Sequence, residues 1–272
     1  MLLLQAVLAS LALGSARAQM DVHIRMKIHP DLLTHTLLEL LPKNRAIVYA
    51  VSQDLGVQDY FTMHEMAASN TTGSTMVSGA SNIGSEQVSI ASCNNEMRHR
   101  CKQPIQVPVT TLDVLFQQQR LTHVDSLVID TEGYDPLVLE GTISSLKSHV
   151  VRVLEFEYHG IGYWSKRGGH TLEATVRWLD HLGYDCFYKT NPRRMRHDVS
   201  RRGHLLAQKY LNPEGKNLIH QISGSLIKSL VPLTLNGVCW RTHFEMRKWS
   251  NVACIVRGGW ERSAVEQYII SS

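Results

Sequence analysis

VDSLVIDTEGYDPLVLEG (residues 124–141) decides how the rest of the chain is read. Its first seven residues, VDSLVID, form a nearly continuous apolar run of the kind expected for a strand covered on both faces. The run surfaces on three acids, Asp130, Glu132 and Asp135, gathered around Gly133. A glycine there permits a tight turn into a following helix, YDPLVLEGTISSLKSH. A second buried strand, VVRVLEFEY, comes next. Strand, charged turn, helix and strand in this order form the repeating unit of an α/β domain.

Downstream, TLEATVRWLDHLGY reads as a helix ending on Gly183, DCFYKT as a strand, and NVACIVRG (251–258) as a last buried strand. Upstream, DVHIRMKI (21–28) alternates like a strand. PDLLTHTLLELL is expected to be a helix opening at Pro30, and RAIVYAV (45–51) a strand. Asp54-Leu55-Gly56 marks a turn, and VQDYFTM a short strand leaving it. Residues 64–104 form a long polar loop rich in small residues. IQVPVTTLDVLFQQQ then gives a strand and a helix opened by Thr111-Leu112-Asp113. The alternation predicts a mostly parallel, doubly wound sheet with no internal repeats and no second domain with its own core.

Composition sets outer bounds. The chain has 272 residues, 43% hydrophobic and 19% charged, enough for a full core and against global disorder. A net charge of +4, not gathered into a stripe, gives no reason to expect a nucleic-acid partner. Five cysteines without a CxxC pair argue against structural zinc. Buried free thiols are expected ahead of a Cys93–Cys101 disulfide.

The N-terminal stretch MLLLQAVLASLALGSARAQM reads two ways. It fits a secretory signal with an apolar core and an Ala16-Arg17-Ala18 cleavage site, although no cation precedes that core. It also fits a helix with Leu3, Val7 and Leu11 on one face and Gly14 at its end. The run is too short to span a bilayer. The sequon Asn70-Thr71-Thr72 counts only if the chain is secreted.

In open parallel sheets, ligands sit beyond the carboxyl ends of the strands. The acids after residue 129 lie at such an end, and LEFEYHG places Glu155, Glu157 and His159 on one face at a period of two. Asp130, Glu132, Glu157 and His159 are therefore the candidate catalytic residues, delivered toward one crevice. The plain alternative is that acids collect where a chain emerges into water. The same four side chains have the chemistry of a divalent-metal site, which the reading does not require. Trp164, Tyr163 and Gly160 line an acceptor pocket or pack as core aromatics. NPRRMRHDVSRRGH (191–204) reads as a solvated basic loop ahead of a clasp for an acidic acceptor.

These segments resemble the FkbM family of S-adenosylmethionine-dependent methyltransferases. The likeness rests on LVIDTEGYDPLVLEG, VLEFEYHGIGYW and LDHLGYDCF, with VPVTTLDVLF matching a recurring T-x-L-D segment, over roughly residues 20 to 190. It implies an α/β, class I methyltransferase (Rossmann-like) domain that transfers a methyl group, typically to oxygen, without a required metal. By resemblance, Asp130 and Glu132 end the fourth strand beside the methyl group, and Glu157 follows the fifth. Ser52 meets the adenine at the third strand, so Ser52 and Asp130 are the cofactor-binding candidates.

The departures fall on one half of the cofactor site. The family's glycine-rich D-x-G-A-N-x-G turn has no counterpart here, so the sheet is expected to lack its first strand. Lys27 stands where a glutamate would hold the ribose hydroxyls, and a cation cannot accept those hydrogen bonds. A start placed downstream of the true one, a secreted relative and a degenerate homologue each account for this. Residues 1–18 are then a truncated helix or a signal, 19–260 the methyltransferase domain, and 261–272 a tail. The expected partner is a small-molecule or glycan acceptor hydroxyl. The location is cytoplasmic for a truncated helix and secretory for a signal. A non-enzymatic binding protein on the same scaffold is the alternative, so enzymatic activity stays open at this point.

Overall fold

A computed structural model describes residues 21–29, 32–38, 42–54, 56, 58–78, 104–131, 133–158, 164, 170–190, 229–233, 250–266 and 269. The chain divides into two compact units, Met1–Val151 and Arg152–Ser272.

The first unit contains β1 (Asp21–His29), β2 (Leu32–Leu38), α1 (Pro42–Asp54), a 3-10 turn (Gln58–Tyr60) and β3 (Phe61–His64). After these come β4 (Ala67–Ala68), β5 (Gly73–Ser78), β6 (Pro104–Thr110), α2 (Leu112–Gln118), β7 (Val124–Asp130), α3 (Asp135–Glu140) and α4 (Ile143–Lys147). Strands lie in the order β7-β1-β2-β3, with β4-β6-β5 as a separate small sheet. β1 is antiparallel to both its neighbours, and β2 runs parallel to β3. The second unit contains β8 (Val151–Tyr158), α5 (Leu172–His181), β9 (Tyr184–Thr190), β10 (Ser229–Pro232), β11 (Ser250–Val256) and α6 (Trp260–Val265). Here the order is β10-β9-β11-β8, and every ladder in it is antiparallel.

The domain is α/β, as its pattern predicts, but the expectation of a mostly parallel sheet is corrected. Only Pro30 and Asp31 separate β1 from β2, and so short a link joins antiparallel strands only. The place beside β7 is filled by β1, register Asp21 to Asp130 through Arg25 to Ser126, so that edge is paired.

Two upstream assignments exchange places. The segment expected to be a helix from Pro30 forms β2, with Thr36 and Leu38 buried at a period of two. RAIVYAV, expected to be a strand, lies in α1, which opens on Pro42. Short apolar runs do not separate strand from helix by period, and the exposed Tyr49 shows that this run is not covered all round. The long polar loop contains β4 and β5, while residues 79–103 lie outside the described residues. The helix expected over 134–149 is two short ones, α3 and α4, divided at Gly141.

The downstream elements follow their sequence signals. α5 buries Leu172, Thr175, Val176 and Leu179 at i, i+3, i+4 and i+7, and Thr171 Oγ1 caps it by accepting from the Ala174 amide at 3.0 Å. Burial of each Leu or Val stabilises by about 1.5–3 kcal/mol. Gly183 (φ 87°) takes the left-handed turn into β9. On β9 and β11, Phe187, Ala253 and Ile255 pack with Leu230, Val265 and Ile269. Arg152 and Glu261 form a two-bond ion pair at 2.8 and 2.9 Å that ties β8 to α6. That hydrogen bond raises the Arg152 pKa.

The expectation of buried free thiols is corrected for two cysteines. Cys186 and Cys254 are register partners on β9 and β11, and they form a disulfide. Pairing that juxtaposes two cysteines 68 residues apart cannot be read from their spacing. Cys93, Cys101 and Cys239 lie outside the described residues.

Candidate functional site

Two strand ends were expected to carry the chemistry, one in each unit. In the first, the acids of the 130–135 turn divide by role. Asp135 is fully buried, and its Oδ2 accepts from Thr131 Oγ1 at 2.9 Å and from the Gly133 amide at 3.3 Å. Gly133 has φ 94°, a conformation that a side chain disfavours. Asp135 therefore fixes the turn from β7 into α3. Asp130 closes β7, half-buried, at the strand's carboxyl end. Glu132 lies outside the described residues.

The T-x-L-D segment is scaffold. Thr111 Oγ1 accepts from the Val114 amide at 3.1 Å and caps α2. Asp113 caps a different helix, accepting from the Ser144 amide (2.8 Å), the Ser145 amide (2.9 Å) and Ser145 Oγ (2.6 Å) at the start of α4. The Asp113 amide donates to Gly141 O at 3.0 Å. A Cβ at Gly141 would lie 2.9 Å from the Ser69 carbonyl carbon and closer still to its oxygen, so close backbone approach demands glycine there.

Ser52 is buried in α1, where its hydroxyl donates to Tyr49 O at 2.9 Å. The strand end that carried its adenine role is a helix turn, so that premise is corrected.

In the second unit β8 alternates as expected. Leu154, Phe156 and Tyr158 are buried, and Glu155 and Glu157 share the opposite, half-buried face. That face has two ends. Toward α6 it is apolar, with Val153 on the Phe187–Ile255 cluster. Toward the carboxyl end of β8 it is polar. Glu157, Asn251 and Lys189 form one row across β8, β11 and β9. Glu155 Oε1 accepts from Asn251 Nδ2 at 3.0 Å and forms an ion pair with Lys189 Nζ. The two glutamates thus differ: Glu155 neutralises Lys189, while Glu157 sits two residues further toward the carboxyl end of β8. Sequence reasoning missed Lys189 and Asn251. Their strands were legible, but the antiparallel register that aligns them with Glu157 was not. His159 lies outside the described residues, as do Gly160, Tyr163 and residues 191–204.

Trp164 is a packed core aromatic. It is 2% exposed, stacks on Phe156 at 5.7 Å and meets Tyr158 edge-on at 5.1 Å. A cleft of about 180 Å³ lies at the amino end of β9, away from the Lys189 row, lined by Tyr184, Asp185, Cys186 and Arg262 among others. Burial pushes the Tyr184 hydroxyl well above its usual pKa. Arg257, in ion pairs with Asp180 and Asp185, closes the same end of the strand. Among the described residues no cluster of three His, Cys, Asp or Glu is placed to hold a metal ion, and no helix is long and apolar enough to cross a membrane.

No curated protein and no solved structure is similar enough to the chain to be matched. The family model described as the methyltransferase FkbM domain matches residues 10–186, a span that contains the β7 turn, the whole of β8 and the T-x-L-D segment. With well over half its length matched, the chain belongs to the FkbM methyltransferase family.

Proposed function

We propose that the chain transfers a methyl group from S-adenosylmethionine to a hydroxyl of a small-molecule or glycan acceptor. The observation that carries this reading is the family match, which spans Asp130, Glu132, Glu157 and His159. The cofactor supplies an electrophilic methyl group on a sulfonium cation. A carboxylate donor set suits a cation, and Asp130 at the carboxyl end of β7 is the residue to hold it. Glu157, toward the carboxyl end of β8, or His159 takes the proton from the acceptor hydroxyl. Lys189 and Asn251 orient the acceptor side through Glu155. The fit is to the charged half of the cofactor. Ser52 donates its hydroxyl proton to a helix carbonyl, so only its acceptor capacity is left for an adenine.

Calorimetric titration of the full chain with S-adenosylmethionine tests the proposal. Saturable binding is expected, weakened in Asp130→Asn, while Glu157→Gln leaves binding intact and lowers turnover by about 100-fold or more. Absence of binding at millimolar cofactor overturns it.

A second reading, a non-catalytic binding protein on the same scaffold, is favoured by one observation: the segment expected to supply the adenine strand is the helix α1. Cofactor binding without release of S-adenosylhomocysteine across a panel of hydroxylated acceptors would select it.

A further inference from the structure

We infer that Asn70 is an acceptor for an N-linked glycan and that the chain matures in an oxidising secretory compartment. Two independent observations meet here. The first is the Cys186–Cys254 disulfide, a bond that persists in oxidising compartments and is rare where thiol reductants hold cysteines reduced. The second is the placement of the chain's one Asn-x-Ser/Thr sequence. Asn70, Thr71 and Thr72 are all exposed, in the bend between β4 and β5. A sequon inside a core would have no room for a sugar. This one stands on the surface, on a bend whose backbone passes close to Gly141.

The chemistry balances at one atom. Asn70 Nδ2 carries two protons, and one of them is donated to Glu140 Oε2 at 2.7 Å. The co-reactant is a lipid-linked pyrophosphoryl oligosaccharide. Nδ2 forms a bond to C1 of its reducing-end sugar, the C1–O bond to the pyrophosphate breaks, and the lipid pyrophosphate leaves with that electron pair. The amide loses one proton to solvent. The remaining N–H still donates to Glu140, so the glycosylated side chain keeps its bond in the folded protein. Thr72 Oγ1, two residues on, supplies the hydroxyl that the transferring enzyme reads, and serine preserves that group.

The test is expression of the full chain in cultured eukaryotic secretory cells, followed by treatment with a peptide-N-glycosidase. The untreated protein is expected to migrate one glycan step above the treated one. Peptide mapping should find Asn70 converted to aspartate, with Cys186 and Cys254 linked in the unreduced digest. Asn70→Gln and Thr72→Ala lose the step, and Thr72→Ser, which leaves the Glu140 bond untouched, retains it. A wild-type chain unchanged by the glycosidase overturns the inference, as does a step that persists in Asn70→Gln or a pair of reduced cysteines in the glycosylated protein.

Discussion

Removal of the Cys186–Cys254 link, as Cys186→Ala/Cys254→Ala, gives the sharpest test of the second unit. The bond closes a loop with a sequence separation of 68, for which loop-closure entropy alone predicts about 4 kcal/mol of stabilisation. That is a large share of the roughly 5–15 kcal/mol that holds a whole domain together. Cys186 and Cys254 are both buried, so the double variant also loses packing around two sulfurs. Reduced wild-type protein separates the two effects, because it lacks the link but keeps the sulfurs. At about 2–4 °C per kcal/mol for a chain of this size, reduction should lower the melting temperature by roughly 8–16 °C. The double variant should melt at or slightly below the reduced protein. Scanning calorimetry measures both, and alkylation of the denatured, unreduced chain counts thiols directly. Alkylation of Cys186 or Cys254 without reductant would refute the pairing. A loss under about 1 kcal/mol on reduction would refute the entropic account even with the bond present.

Three further outcomes follow from packing and charge. Gly141→Ala forces the Ser69 backbone away and should cost about 3 kcal/mol by urea denaturation, with a cost below about 0.5 kcal/mol sinking the close-approach reading. Glu261→Gln strips a 5%-exposed partner from Arg152 and should cost about 3 kcal/mol, most of it recovered in Arg152→Met/Glu261→Leu, since the penalty is a stranded charge. Burial lowers the His64 pKa from its usual 6.5, so its contribution to stability is fully present above pH 6.5 and is lost as pH falls from there toward the folded value. Denaturation midpoints measured across that window should decline on acidification, and His64→Gln should flatten the decline.

Much of the fold was legible wherever several local signals agreed. α5 was readable because four buried residues at helical spacing, a threonine cap and a terminal glycine agree. β7 and β8 were readable because their apolar runs were bounded by charge and turn residues. β2 and α1 were misread because LLTHTLL and RAIVYAV are short apolar runs whose state is settled by neighbours in the sheet, not by their own period. Lys189 and Asn251 were hidden for a related reason. Each sits on a strand the sequence reveals, but register between strands distant in sequence is a tertiary quantity. The disulfide is the same case in covalent form.

The acids and glycines of the matched span do not all point at chemistry, and separating them changes what a variant can teach. Asp113 caps α4, Asp135 holds its own turn, Thr111 caps α2, and Gly141 admits the Ser69 backbone. Substitutions at these positions should lower stability first and activity only through it. Asp130 and Glu157 stand half-buried at the carboxyl ends of their strands, and they are the carboxylates proposed to act on cofactor and acceptor. Under the proposed function, their isosteric amides should remove turnover while the chain keeps its fold. A chain that kept the first set and tolerated loss of the second would be a folded member of this family using its scaffold for binding. The stability and activity of these few variants, measured side by side, therefore distinguish a working methyltransferase from a retained fold.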